Sequence, residues 1–380
     1  MAKNIILCSM VLSLFGCAGK AWEGAENPAR IILPDVQVTP GGHCESSAMT
    51  NALHYLGYPF NEETVVGGGG AIGFMYQRGD FPFLGGRSST LKEVFFNNAD
   101  LVWQKKVEQS AEESWQGVAE VLERGLPVVL RVDMRYLPYL YGGKYGPSYM
   151  SFGWHIITLF GIDFENEAAL VSDTALEGLQ SIKLKDLEKA RSSDTKVFPP
   201  LREYYWVENK PAAYLPDWNK ILNESVNEVI KNYEWMPATE EEAGLGLGGL
   251  EGLKQFPQEL RDFESAGSKT YLLSPAFDFL YGCIETNGTG GAAFRIFYRD
   301  FLLQMAERLD NPKLEQAASL LDVSIATWHD LSGEFKKISQ SIKKMKSADE
   351  RYTLYDGAAK IAERLYDSEK AFYIFLKDEL

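Results

Sequence analysis

The spacing of apolar positions divides the chain into two parts. From about Ile31 to Val207, short apolar runs alternate with glycine clusters and a few helical stretches. Leu126 to Val132, Ile156 to Phe160 and Ala168 to Val171 are too short and too continuously apolar for helices, and they predict buried strands. Ala48, Met49, Ala52, Leu53 and Leu56 recur at three-and-four spacing, which predicts a helix that Gly57 ends. Val118 to Gly125 predicts a second helix closed by glycine. Beyond Pro216 the period changes. Leu222 to Tyr233, Ala292 to Leu309, Lys313 to Ile338 and Ala358 to Leu380 keep helical spacing with few β-branched runs. The pattern therefore predicts an α+β domain over residues 31–210 and a mainly helical domain over 217–380. Pro199-Pro200 and the stretch from Pro211 to Pro216 mark the boundary, and Gly244 to Gly252 is expected to be a connection.

The first residues follow a different rule. Lys3 precedes an apolar run from Ile5 to Gly16, and Leu14-Phe15-Gly16-Cys17 follows the outline of a lipoprotein cleavage box. A run this short falls below the roughly 20 residues of a spanning helix. Residues 1–17 are thus expected to be a signal peptide, with Cys17 the lipidation site and the mature chain anchored in the cell envelope. If the leader reading is wrong, the chain is cytoplasmic.

Charge narrows the range of functions. With 38 basic and 53 acidic residues the net charge is -15, which argues against a nucleic-acid surface. The four cysteines are Cys8, Cys17, Cys44 and Cys283; with the leader gone, one Cys44 to Cys283 bridge is the most that could form. Four scattered histidines give no metal-ligand spacing, and no cofactor motif stands out.

Gly41-Gly42-His43-Cys44 leads directly into the first predicted helix, so Cys44 sits at a helix N-terminus, where the dipole and free N–H groups favour a sulfur anion and can hold an oxyanion. A search for its general base is short. His54 lies ten residues along the same helix, roughly 15 Å away. His43 precedes Cys44 directly and is expected to shape the pocket or the turn, and His329 belongs to the helical half. His155 remains. A hairpin centred on Phe164 brings Asp173 opposite or nearly opposite His155, within about 5 Å, where a carboxylate can orient the imidazole toward the sulfur. Cys44, His155 and Asp173 are therefore the predicted catalytic residues. His43, Asp133 and Tyr136 are placed in the substrate cleft, the last two at the head of the aromatic stretch that ends at Tyr141. Gln37 is a weaker oxyanion candidate, and Gly67 to Gly70 is read as close backbone approach near the cleft.

Cysteine on the first helix followed by histidine and aspartate on later strands is the chain order of papain-like enzymes. Gly42-His43-Cys44-Glu45-Ser46-Ser47, Tyr55-Leu56-Gly57, the stretch from Gly67 to Tyr76, Asp133 to Tyr139 and the His155 to Asp173 hairpin together resemble the N-terminal domain of the butirosin biosynthesis protein H family. Gly244 to Leu253, Phe294-Arg295 and Trp328 are similar to the helical domain that often follows it. The resemblance implies a papain-like fold and an acyltransferase that moves an aminoacyl group from a carrier-protein thioester to an amine of an aminoglycoside. Cys44 would carry the acyl group, His155 would move the proton and Asp173 would orient His155. An exported, lipidated chain would not meet a cytosolic carrier protein, so the donor, thioester or amide, stays open, as does the amine acceptor. Two other readings remain: a cell-envelope cysteine peptidase or amidase, and a non-catalytic lipid-anchored binding protein.

Overall fold

The structure is a computed structural model that describes residues 29–380 except 80, 197, 238, 240–245, 265–268 and 346. The expected leader and Cys17 lie outside the described residues. The chain forms two compact units, one from residues up to Pro59 together with Val102–Pro211, the other from Phe60–Leu101 together with Ala212–Leu380.

The first unit is built on a seven-stranded antiparallel sheet. Its strands are β1 (Arg30–Ile32), β2 (Trp103–Val107), β3 (Val128–Val132), β4 (His155–Asp163), β5 (Ala168–Ser172), β6 (Gln180–Lys183) and β7 (Glu203–Val207). They lie in the order β2-β7-β3-β4-β5-β6, with β1 beside the far end of β4. Three helices accompany them: α1 (Cys44–Tyr55), α2 (Ala111–Glu123) and α3 (Leu184–Arg191). The apolar runs that predicted β3 and β4 fill the core: Val128, Leu130 and Val132 meet Ile157 and Leu159 from the neighbouring strand and Leu122 from α2. Burial of these side chains contributes on the order of 1.5–3 kcal/mol each.

Helix α1 departs from the amphipathic pattern. Nine of its residues, Glu45 to Leu53, are buried, small polar ones included. A helix covered nearly all round cannot keep a polar face, so its Ser and Asn side chains find partners inside, while the buried Thr50 hydroxyl has none among the described residues. Asn51 accepts from Thr39 N (2.8 Å) and donates to Thr39 O (3.1 Å) and Ser47 O (3.0 Å). Thr158 of β4 donates to Ala48 O at 2.8 Å, fastening the helix to the strand.

The second unit is mainly helical, with a small antiparallel sheet of Gly246–Gly248, Ile72–Gln77 and Phe83–Arg87. Residues 60–101 were expected to lie in the N-terminal domain, yet they pack with the C-terminal helices. Phe60 stands edge-on to Phe95 and Trp218 at 5.2 and 5.8 Å. Arg295 and Glu369 form a fully buried ion pair at 2.9 Å, and the same guanidinium donates to Gly73 O and Gly86 O, both at 2.8 Å. A buried charge requires every donor to be satisfied, and here two of the acceptors are backbone carbonyls of the 60–101 segment. Gly67 has a similar role: a Cβ there would lie 2.1 Å from the Phe301 ring. The glycine cluster thus serves packing within this unit. Within the expected connection at Gly244 to Gly252, Gly246–Gly248 form a strand that turns at Gly249 (φ +59°) into the helix Gly249–Arg261.

Candidate functional site

Cys44 is the first residue of α1, and His43 is its cap. The His43 backbone is extended (φ -134°, ψ 137°), and its Nδ1 accepts from Ser46 N at 3.3 Å while lying 3.0 Å from Ser46 Oγ. An imidazole here does what Ser or Asp does at most helix starts, occupying one of the free N–H groups. The loop before it is held at two points: Asn51 grips Thr39, and Gly41 N donates to Thr174 O at 2.8 Å. Cys44 is therefore presented, half-buried, from a fixed turn.

His155 opens β4. Its Nε2 lies 2.8 Å from Asp173 Oδ1, and it also hydrogen-bonds Cys44, which leaves Nδ1 for the sulfur. Burial works against the imidazolium, but the Asp173 charge and hydrogen bond, with smaller help from Cys44, outweigh it and push His155 up to about 10. On Asp173, burial favours the neutral acid, but His155 and three hydrogen bonds hold the carboxyl below its usual range. Those bonds come from His155, from Thr174 Oγ1 to Oδ1 (3.0 Å) and from Tyr139 Oη to Oδ2 (2.8 Å).

Asp173 arrives by a different register from the expected one. Thr158 pairs with Ser172 and Asp163 with Ala168, so the hairpin is centred beyond Phe164 and contains a bulge between Leu159 and Gly161. The extra residue slides the β5 end along β4. Asp173 therefore lies diagonally from His155, and its side chain spans the offset. Directly after it, Thr174 has a left-handed backbone (φ 27°), an unfavourable state for a β-branched residue. This kink turns its carbonyl to Gly41 and its hydroxyl to Asp173.

The other expected site residues have different work. Asp133, fully buried at the end of β3, accepts four bonds: Arg135 N (3.1 Å) and Phe152 N (3.0 Å) on Oδ1, Ser151 Oγ (2.5 Å) and Ser193 Oγ (2.6 Å) on Oδ2. That uses its acceptor capacity, so it organises a loop and has none left for a substrate. Tyr136 packs edge-on to Tyr145 at 5.2 Å with the Arg135 guanidinium over its ring. Gln37 and His54 are exposed, and His329 lies in the helical unit, 2.9 Å from Glu285. Cys44 and Cys283 are both free thiols; burial pushes Cys283 up to about 11. Tyr139, Thr174 and Asn51 went unnoticed in the sequence. Only Tyr139 left a trace, as one of several tyrosines in the aromatic stretch.

Comparison with known families adds two matches. Residues 43–174 match the family model described as butirosin biosynthesis protein H, N-terminal, a stretch that begins at the helix cap and ends at the strained Thr174. Residues 185–375, half of the chain, match a domain of unknown function, DUF4872. Neither match follows the compact units: the first includes residues 60–101, and the second begins within α3. No curated protein matches the chain.

Proposed function

The chain belongs to the butirosin biosynthesis protein H-like family, and from that premise we propose that it is a papain-like, thiol-dependent acyltransferase that passes an acyl group from Cys44 to an amine. The observation that carries this reading is the relay itself. A cysteine at a helix start hydrogen-bonds a histidine whose opposite ring nitrogen rests on a buried carboxylate at 2.8 Å. A histidine pushed up to about 10 is an imidazolium at neutral pH, the natural counter-ion for a sulfur anion.

The steps follow from these positions. The Cys44 sulfur anion attacks the donor's acyl carbon, a C–S bond forms, and the donor's thiol or amine leaves with a proton from His155. The acceptor amine then attacks the acyl-enzyme. His155 takes the amine proton as the new C–N bond forms and the C–S bond breaks, returning the sulfur as an anion. Asp173 holds the imidazole in one orientation through both halves. N–H groups at the α1 start face the developing oxyanion.

Mass spectrometry of the chain after exposure to acyl thioesters tests this. The expected result is a single acyl adduct that Cys44→Ala lacks and that added amines discharge as amides. An adduct lost only to water would make the protein a hydrolase of the peptidase or amidase type. Cys44 no more reactive than Cys283 would leave a binding protein. The cell-envelope anchor at Cys17 belongs to the same proposal: metabolic labelling with a fatty-acid analogue, lost in Cys17→Ala, is its expected signature.

A further inference from the structure

The carboxylate of Asp173 needs both oxygens fixed for the relay to keep its geometry, because rotation of a carboxyl about χ2 is soft. Its inner oxygen, Oδ1, is shared by His155 and Thr174, and its outer oxygen, Oδ2, takes the hydroxyl of Tyr139 at 2.8 Å. We propose that Tyr139 is a positioning residue for the acyl transfer: by pinning the outer oxygen of Asp173 it keeps the inner one on His155, and His155 on Cys44. This rests on the acyl-enzyme reading above.

The anchoring of Tyr139 is what makes it a clamp. It sits in a short 3-10 helix, Pro138–Tyr141, whose first residue has its φ fixed by the proline ring. Leu137, immediately before, is fully buried in the core of the first unit, and Tyr139 packs against the same core. The loop that carries the helix is closed twice. Asp133 joins Arg135 to Phe152, and further in, Arg135 Nε donates to Gly146 O (3.2 Å) while Gly146 N donates to Arg135 O (2.8 Å). A Cβ at Gly146 would lie 2.8 Å from the Tyr141 ring, so a side chain there would push that ring aside. A hydroxyl mounted on so constrained a loop adds direction to the carboxylate at little entropic cost.

The titratable groups acting on this cluster are Cys44 from α1, His155 from β4, Asp173 after β5, and Tyr139 and Tyr141 from the 3-10 helix, with Asp133 and Tyr149 acting on Tyr141. Burial, with the Asp173 charge and hydrogen bond, holds the Tyr139 phenol well above its ordinary value, so it stays the donor throughout the working range.

The test compares wild type, Tyr139→Phe and the protein carrying 3-fluorotyrosine at position 139, following the rate of Cys44 alkylation by iodoacetamide against pH. Losing the donor destabilises the carboxylate. In Tyr139→Phe the acid limb is expected to move up by about half a unit, and the rate on that limb to fall about threefold. Fluorination makes the phenol a stronger donor, so the limb moves down, and this arm does not depend on whether Tyr139→Phe folds. A wild-type limb in both altered proteins overturns the proposal. If wild-type Cys44 itself proves unreactive, the acyl-enzyme reading fails separately. The His155 ring resonances of wild type and fluorinated protein then still report whether the hydroxyl governs the His155–Asp173 bond, and identical titrations would again overturn it.

Discussion

Asp173 collects three donors on one buried carboxylate, so replacing it tests how the histidine is charged and how it is aimed. Asp173→Asn removes the anion that holds His155 up, and NMR of the ring is expected to show titration well below the wild-type value of about 10. An amide can also offer its N–H to Nε2, which forces the wrong tautomer, so the rate of Cys44 acylation should fall on the order of 10² to 10⁴-fold. Stability follows from the same shifts. The folded value for His155 lies above its ordinary 6.5, so its contribution is complete below about pH 6.5 and is lost as pH rises through about 10. Asp173 is shifted the other way, so its contribution is present above its ordinary 3.8 and is lost as pH falls through its lower folded value. The thermal midpoint of wild type should therefore decline between pH 6.5 and 10 relative to Asp173→Asn. Parallel curves would mean that the two side chains are not coupled in solution.

At the scale of elements, the glycine at position 67 marks how tightly the helix Glu62–Gly68 approaches the helix Arg295–Leu309. Gly67→Ala places a methyl 2.1 Å from Phe301, a buried ring whose displacement would disturb its neighbours. We expect a loss of about 1–3 kcal/mol, read from denaturant unfolding, despite the usual gain of alanine over glycine in a helix. Unchanged stability would mean the two helices can part without cost. The same residue explains why the sequence was only partly legible. Helices α1 and α2 and strands β3, β4 and β5 were readable because period, apolar runs and glycine stops are local signals, whereas the shorter strands β1, β2, β6 and β7 and helix α3 carried no such pattern. Cys44 and His155 were readable because so few histidines compete. A glycine selected for contact with Phe301, more than 230 residues away, looks no different from one selected for a loop. Likewise, nothing local announces the bulge between Leu159 and Gly161 that shifts the hairpin register, nor which tyrosine between Tyr136 and Tyr141 meets Asp173.

For the whole molecule, the consequential departure is that residues 60–101 leave the first unit and return to it. The exit and re-entry are close together: Tyr58 Oη donates to Glu208 O at 3.2 Å, and Glu208 N donates to Val102 O at 2.9 Å. The excursion can therefore be closed by a short glycine-rich linker from Pro59 to Val102 without stretching either end. Truncation after residue 211, by contrast, would keep Phe60, Val65, Val66, Phe95 and Phe96, all buried at 1% exposure or less, while removing the helices that cover them. The two chains should behave oppositely. The linked chain, residues 29–59 joined to 102–211, is expected to unfold cooperatively and to keep the His155–Asp173 pair, seen as an imidazole that still titrates far above 6.5. The simple truncation is expected to bind a hydrophobic dye and to lose a single sharp transition, because its exposed apolar segment has no core to join. Were the truncated chain the well-behaved one and the linked chain the unfolded one, the 60–101 segment would belong to the sheet unit after all, and the division of the molecule would have to be redrawn along the boundary that the sequence pattern first suggested.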